Sequence, residues 1–313
     1  MKKIKILFVI IFIGLVLSPI VVPQKFYEKT SNFIYNKLIY SINYLTFLKN
    51  DLKNHIIDNS KIIKIKKDRI IAHAGGGIDG FTYTNSLEAL NSNYNKGMRY
   101  FELDLRQTSD NIYVGVHDWK EWKLKTNFNG NIPPTHKEFI ENKIHNKFTP
   151  LDLNAINNWF KNHESCVLFI DKINKPTEIF KQIEISKDKV IMELFSWESI
   201  LEAKTLGINV MASWEVFFGV EDHEIYNKLK DNHIRYLAIP NQLVYTKSDL
   251  LEKISPFVKT YSWGSYRTNP NNIGNKTESY VLCEENKFIY GVFMDFSNLE
   301  SDKIICNEAI GIR

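Results

Sequence analysis

The sequence predicts an α/β protein built on a parallel sheet, and its strand count favours a (β/α)8 barrel. Three observations carry this. From residue 70 onward, short apolar runs of strand length alternate with helical stretches, which is the grammar of βαβ units. Nine such runs occur, one more than an eight-stranded barrel needs, so one of them is spurious or lies outside the closed sheet. The 313 residues, 44% apolar and 24% charged, have the composition of a globular chain with ample material for a core.

At the N-terminus, Lys2, Lys3 and Lys5 precede an apolar run from Ile6 to Val22, broken only by Gly14, Ser18 and Pro19. Residues 1–24 therefore read as a membrane anchor or a secretory signal. A cut after Ser18 would leave Pro19 just beyond the scissile bond, and neither an A-x-A site nor a lipoprotein cysteine follows. An uncleaved single-pass anchor is expected, with a cleaved signal and secretion as the alternative. Lys25, Lys29 and Lys37 nearly balance the lysines before the run, so the positive-inside rule orients it only weakly. With the N-terminus cytoplasmic, the body would face the periplasmic or extracellular side of the cytoplasmic membrane.

Residues 25–69 are aromatic and basic. Phe33, Ile34, Leu38, Ile42, Leu45 and Leu48 recur at helical spacing from Thr30 to Asn50, and Lys61, Lys64, Lys66 and Lys67 form a solvated linker. This juxtamembrane helix would pack on the body or lie on anionic lipid.

Residues 70–313 form the predicted barrel. Strands are expected at Ile70–Ala72, Arg99–Leu105, Ile112–Val116, Cys166–Ile170, Lys189–Leu194, Asn209–Ala212, Arg235–Ile239, Lys259–Trp263 and Tyr290–Met294. Helices are expected at Asn85–Lys96, ended by Gly97, and at Leu153–Asn162 and Trp197–Leu206. Trp119–Pro150, rich in Lys, Asn and Pro, interrupts the alternation as an insertion or long loop. Residues 1–69 carry 13 Lys/Arg against 4 Asp/Glu, whereas residues 70–313 carry 27 against 32. A body with an acidic balance disfavours a nucleic-acid partner. Cys166, Cys283 and Cys306 match no zinc spacing.

Chemistry collects at strand ends. Glu102 and Asp104 are two apart on one strand, so alternation puts both on one face and Phe101, Leu103 and Leu105 on the other. Two like charges so placed need a cation between them, and Ca²⁺ or Mg²⁺ suits carboxylate oxygen; the other reading is the polar face of an edge strand. His73 follows the first strand and His117-Asp118 the third. Those strands read as parallel neighbours, which puts both histidines at the barrel end that carries active sites, where one imidazole takes a proton and the other donates one. Gly75-Gly76-Gly77 is either a backbone cradle for an anion or a plain loop.

In order and spacing, His73-Ala74-Gly75, Asn85-Ser86-Leu87-Glu88-Ala89, Gly97, Glu102-Leu103-Asp104, Thr108-Ser109-Asp110 and Val116-His117-Asp118 resemble the signature of the glycerophosphodiester phosphodiesterases. The resemblance continues more loosely through Thr149-Pro150-Leu151, Val190–Phe195 and Gly291–Asp295. It implies a (β/α)8 metal-dependent phosphodiester hydrolase with His73 and His117 as general base and acid. Glu102 and Asp104 would hold Ca²⁺ or Mg²⁺, with Asp171 as third ligand where the family has E-x-K. Lys172 is displaced by one residue from the family's lysine, which by alternation points it to the opposite face unless a bulge intervenes. Glu193 is an additional ligand candidate, and Gly75, Lys172, Glu193 and Trp263 are candidates for substrate contact. Trp119, Trp122, Trp197, Trp214 and Trp263 would wall a lipid or glycan phosphodiester or, more simply, belong to the core.

Two departures bear on substrate. Ala74 stands in place of the family's arginine, removing a bidentate phosphate contact, and Tyr83-Thr84 replace a Pro-Glu pair. An inactive barrel that binds a phosphorylated lipid or glycan, and a metal-independent phospholipase C, are the competing readings.

Overall fold

The computed structural model describes residues 62–64, 66–244, 246–264, 288–295 and 303–305. The expected anchor and juxtamembrane helix lie outside the described residues. No helix among the described residues is long and apolar enough to cross a membrane.

All nine apolar runs are strands: β1 (Ile70–Ala72), β2 (Tyr100–Gln107), β3 (Tyr113–Gly115), β4 (Val167–Asp171), β5 (Val190–Leu194), β6 (Asn209–Ser213), β7 (Tyr236–Pro240), β8 (Lys259–Trp263) and β9 (Gly291–Met294). Eight are parallel and close on themselves, because β1 pairs with β9 through Val292↔Ile70 and with β2 through Ala72↔Phe101. The ninth is β3, which runs antiparallel along the end of β2 from Leu105↔Gly115 to Gln107↔Tyr113. This corrects the expectation that His73 and His117 follow neighbouring parallel strands. Residues 108–112 are too few for a parallel crossover, which needs a dozen or so residues; instead Asn111 takes a φ of +66° and the amide of Thr108 donates to the carbonyl of Ile112.

The expected helices form as α1 (Leu87–Asn95), Leu153–Lys161 and Trp197–Thr205. The insertion is no bare loop, for it holds α2 (Trp119–Thr126) and α3 (His136–Glu141). Asp118 caps α2 by accepting from the amides of Lys120 and Glu121, and Thr135 with Glu138 forms a capping box on α3. Trp122, Phe139, Ile144 and Phe148 bury against Val114 and Val116, so the insertion has its own small core beside β3.

Strand alternation splits the main core in two. Ile71, Val167, Phe169, Ile191, Met211, Ala238, Tyr261 and Phe293 fill the barrel, whereas Ile70, Phe101, Leu103, Leu168, Ile170 and Met192 face the outer layer. At the N-terminal end, the Tyr261 hydroxyl donates to the Asp68 carbonyl at 2.6 Å and Lys259 Nζ lies 3.2 Å from Asp68 Oδ2. This network fills the N-terminal end of the barrel, opposite the C-terminal strand ends that carry Asp171 and Trp263.

Candidate active site

On β2, alternation turns Glu102 and Asp104 into the barrel, and the register Asp104↔Asp171 sets the last residue of β4 beside them. One carboxylate oxygen from each of Glu102, Asp104 and Asp171 lies within 4.8 Å of the others, and the three residues are 1%, 0% and 7% exposed. The edge-strand reading of this pair fails, since β2 is flanked by β1 and β4. Glu102 Oε2 accepts from the amide of Ala74 at 2.6 Å. Asn85 clamps Asp104, its Nδ2 donating to Oδ2 at 2.9 Å and its Oδ1 accepting from the Asp104 amide at 3.0 Å. Glu102 Oε1 and Asp104 Oδ1 are buried without a hydrogen-bond partner. Burial, then the charges of Asp104 and Asp171, push the Glu102 carboxyl well above the usual range.

Lys172 does not point away from the site, contrary to the expectation from alternation. β4 ends at Asp171, and Lys172 takes a φ of +64°, which turns the chain instead of continuing the pleat. Its Nζ sits 2.7 Å from Asp171 Oδ2, and its amide donates to Oδ1 at 2.6 Å. Burial opposes the ammonium, but the charges of Asp171 and Asp104 outweigh it and raise the lysine above its ordinary value. Glu193 also faces inward, outside the carboxylate trio, and is pushed up to about 8, first by burial and then by Asp171.

His73 begins a single 3-10 turn after β1. Its Nδ1 lies 3.1 Å from Asp295 Oδ1, and its Nε2 lies 3.9 Å from Glu102 Oε2. Parallel pairing of Met294 with Ala72 brings Asp295 there. Burial pulls the His73 imidazole down, but the hydrogen bond and charge of Asp295 more than reverse it, so His73 titrates above its ordinary value. His117 follows β3, with its carbonyl accepting from Arg106 Nε at 2.7 Å and its Nδ1 3.3 Å from Glu121 Oε2. The ring of Tyr83 contacts both imidazoles edge-on, its centroid 4.5 Å from that of His73 and 5.0 Å from that of His117.

Two of the three amides of the glycine run are engaged within the protein. Gly76 N–H donates to the His73 carbonyl and Gly77 N–H to the Asp295 carbonyl, while Asn93 Nδ2 reaches the carbonyls of Gly75 and Gly77. The positive φ angles of Gly75 (+83°) and Gly76 (+86°) are what bring the loop back over His73. A Cβ on Gly76 would lie 2.5 Å from Asn93 Nδ2. Gly76→Ala is accordingly expected to cost on the order of 1–3 kcal/mol of stability, read from the denaturant midpoint. A midpoint unchanged from wild type would mean the loop can relax away from Asn93.

Trp263 ends β8 and packs half-buried against the barrel-filling cluster at the C-terminal end of the strands. Trp122 and Trp214 are buried core residues, and Trp119 and Trp197 pack partly buried against clusters outside the barrel interior. Four residues of the site were given no role from sequence: Asp295, Asn85, Tyr83 and Glu121. Asp295 and Asn85 stand inside motif elements, where the signal was a polar residue closing a strand or opening a helix. Tyr83 showed only as a departure from the motif and Glu121 gave no signal, because their importance comes from which loops meet.

No family model and no curated protein matches the sequence. Solved structures do. A glycerophosphodiester phosphodiesterase from Thermotoga maritima matches at a TM-score of 0.55 with 19% identity, covering 72% of this chain and 94% of that one. A phosphodiesterase from Oleispira antarctica, in complex with the product sn-glycerol-3-phosphate, matches at 0.54 with 18% identity over 72% and 92% of the two chains. A glycerophosphoryl diester phosphodiesterase from Parabacteroides distasonis matches at 0.53 with 17% identity over 76% and 84%. At these identities the likeness establishes the fold, a closed eight-stranded parallel barrel surrounded by helices.

Proposed function

We propose that this chain is a divergent phosphodiester hydrolase of the glycerophosphodiester phosphodiesterase type, working with a divalent metal. The observation that carries the reading is the buried trio Glu102, Asp104 and Asp171 beside two carboxylate-backed histidines at the C-terminal end of the barrel. The fold shared with phosphodiesterases supports it.

The residues fit a hard cation. Three carboxylates converge in a buried site, and two of their oxygens lack any partner, a costly arrangement unless an ion takes them up. Glu102, Asp104 and Asp171 would hold Ca²⁺ or Mg²⁺, which when bound polarises a phosphoryl oxygen and offsets the diester's charge. Asp295 accepts from Nδ1–H of His73 and so keeps Nε2 free to take the proton of the attacking hydroxyl or water. His117 delivers a proton to the leaving oxygen. The Ala74 amide is committed to Glu102, whereas Lys172 Nζ spends one of its three donors on Asp171 and keeps others to offer a phosphate where the family's arginine is missing.

The substrate class that follows is a glycerophosphodiester, or a lipid or envelope glycan phosphodiester, with Trp263 on the wall of the mouth. The buried trio speaks against a metal-independent phospholipase C, which has no use for it. The deciding experiment incubates the full-length protein in detergent with glycerophosphodiesters, lysophospholipids and phosphoglycans, with and without chelator. Chelator-sensitive release of a phosphomonoester is expected; no release from any diester would leave the inactive binding barrel.

The reading includes an uncleaved anchor at residues 6–22 that holds the barrel outside the cytoplasmic membrane, supported by the lysine-flanked apolar run and by Pro19. Protease added to intact spheroplasts is expected to digest the barrel while the N-terminal peptide stays in the membrane. A protected barrel would reverse the orientation, and a mature N-terminus beyond Val22 would refute the anchor.

A further inference from the structure

The geometry points to Glu121 as the residue that positions His117 for proton transfer, an inference that rests on the hydrolase reading above. Asp118 caps α2, so Glu121 lies in its first turn, and its side chain reaches back to His117 four residues earlier. Glu121 Oε2 lies 3.3 Å from His117 Nδ1, and Oε1 lies 2.8 Å from Lys125 Nζ. Lys125 in turn donates to the carbonyls of Thr82 and Tyr83 at 3.1 and 2.9 Å. One carboxylate thus joins the imidazole to the loop that carries Tyr83 between the two histidines.

The arrangement repeats that of Asp295 on His73. Each imidazole has its own carboxylate on Nδ1, and neither carboxylate belongs to the trio. Burial works against the charge on Glu121, but hydrogen bonds to His117 and Lys125 hold its carboxyl down to about 2, so it stays ionised as the ring gains and loses a proton. An ionised acceptor on Nδ1 keeps a proton there in both charge states of the ring, leaving Nε2 as the atom that exchanges one. Among the described residues, the charged and titratable groups around His117 include Arg106, which binds its carbonyl, the adjoining Asp118, Tyr83 and Lys125, with His145 facing Lys125 and Glu121. The helix does not depend on Glu121, since Asp118 already caps its first amides.

The test compares wild type, Glu121→Ala, Glu121→Asp and Lys125→Met in the full-length protein. Long-range ¹H–¹⁵N correlation, assigned with His117→Gln, reads the His117 tautomer. Steady-state kinetics on a diester cleaved by wild type reads kcat and KM. Glu121→Ala is expected to move His117 from the Nδ1–H to the Nε2–H tautomer and to lower kcat by about 10- to 100-fold with KM within about twofold. Glu121→Asp should recover part of both. Lys125→Met, which frees the Tyr83 loop but leaves the carboxylate, should keep the tautomer. An unchanged tautomer or an unchanged kcat in Glu121→Ala overturns the inference. If wild type cleaves no diester, the hydrolase reading fails, and the tautomer still decides whether Glu121 positions His117.

Discussion

Replacing His73 or His117 with alanine is expected to lower turnover by on the order of 10²- to 10⁴-fold while the barrel stays folded, because each change deletes one proton-transfer partner. The two imidazoles sit on different loops, after β1 and after β3, and each is backed on Nδ1 by a carboxylate. The His73 ring packs edge-on against Phe293 of the barrel-filling cluster, centroids 6.0 Å apart, so His73→Ala is expected to lower the melting temperature as well as turnover. His73→Ala carries a second cost, since Asp295 then faces the carboxylate trio without its intervening imidazole. The rate of the wild type should follow a bell-shaped pH profile set by one group that must be free of its proton and one that must hold it. Measured kcat for both variants, with melting curves as control, checks this. Near-wild-type turnover in either variant would make that histidine structural.

The second large effect concerns the metal-free chain. Glu102→Gln should abolish most activity and most divalent affinity, as should excess chelator on the wild type. Stability gives an independent reading, with a definite sign. Burial, then Asp171, pushes Glu193 up to about 8, and burial with Asp104 and Asp171 pushes Glu102 well above the usual range. For such groups the folded chain binds more protons than the unfolded one, so their contribution is fully present below the ordinary carboxylate range. It is lost as pH rises toward the folded value. The chelated protein is therefore expected to melt on the order of 5–10 °C lower at pH 8 than at pH 5. Added Ca²⁺ or Mg²⁺ should restore the melting temperature most at pH 8, where the carboxylates are ionised and free to bind it. A flat melting temperature across this range, with no gain from either ion, would mean that the cluster is satisfied without a cation.

Much of the fold was legible because strands and helices announce themselves locally. Nine apolar runs became nine strands, and period-two alternation placed Glu102 with Asp104 on one face with no knowledge of their neighbours. The surplus strand could not be identified from periodicity, since β3 is as apolar as any barrel strand; its direction depends on the tight turn at 108–112 and on pairing with β2. The helices of the insertion were hidden by a composition rich in Lys and Asn, although the caps at Asp118 and Thr135 were present to be read.

The candidate site divides in the same way. The sequence alone determined which residue types end the strands: His73 after β1, the Glu102 and Asp104 pair on β2, and Asp171 at the end of β4. Only the tertiary structure decided how those ends meet. Register across β2 and β4 brought Asp171 to Asp104, barrel closure brought Asp295 to His73, and a left-handed turn at Lys172 reversed the face that alternation assigned to it. The reason is physical: a side chain's face follows from backbone geometry two residues at a time, whereas its partners depend on hydrogen-bonded register and single φ angles between segments far apart in the chain.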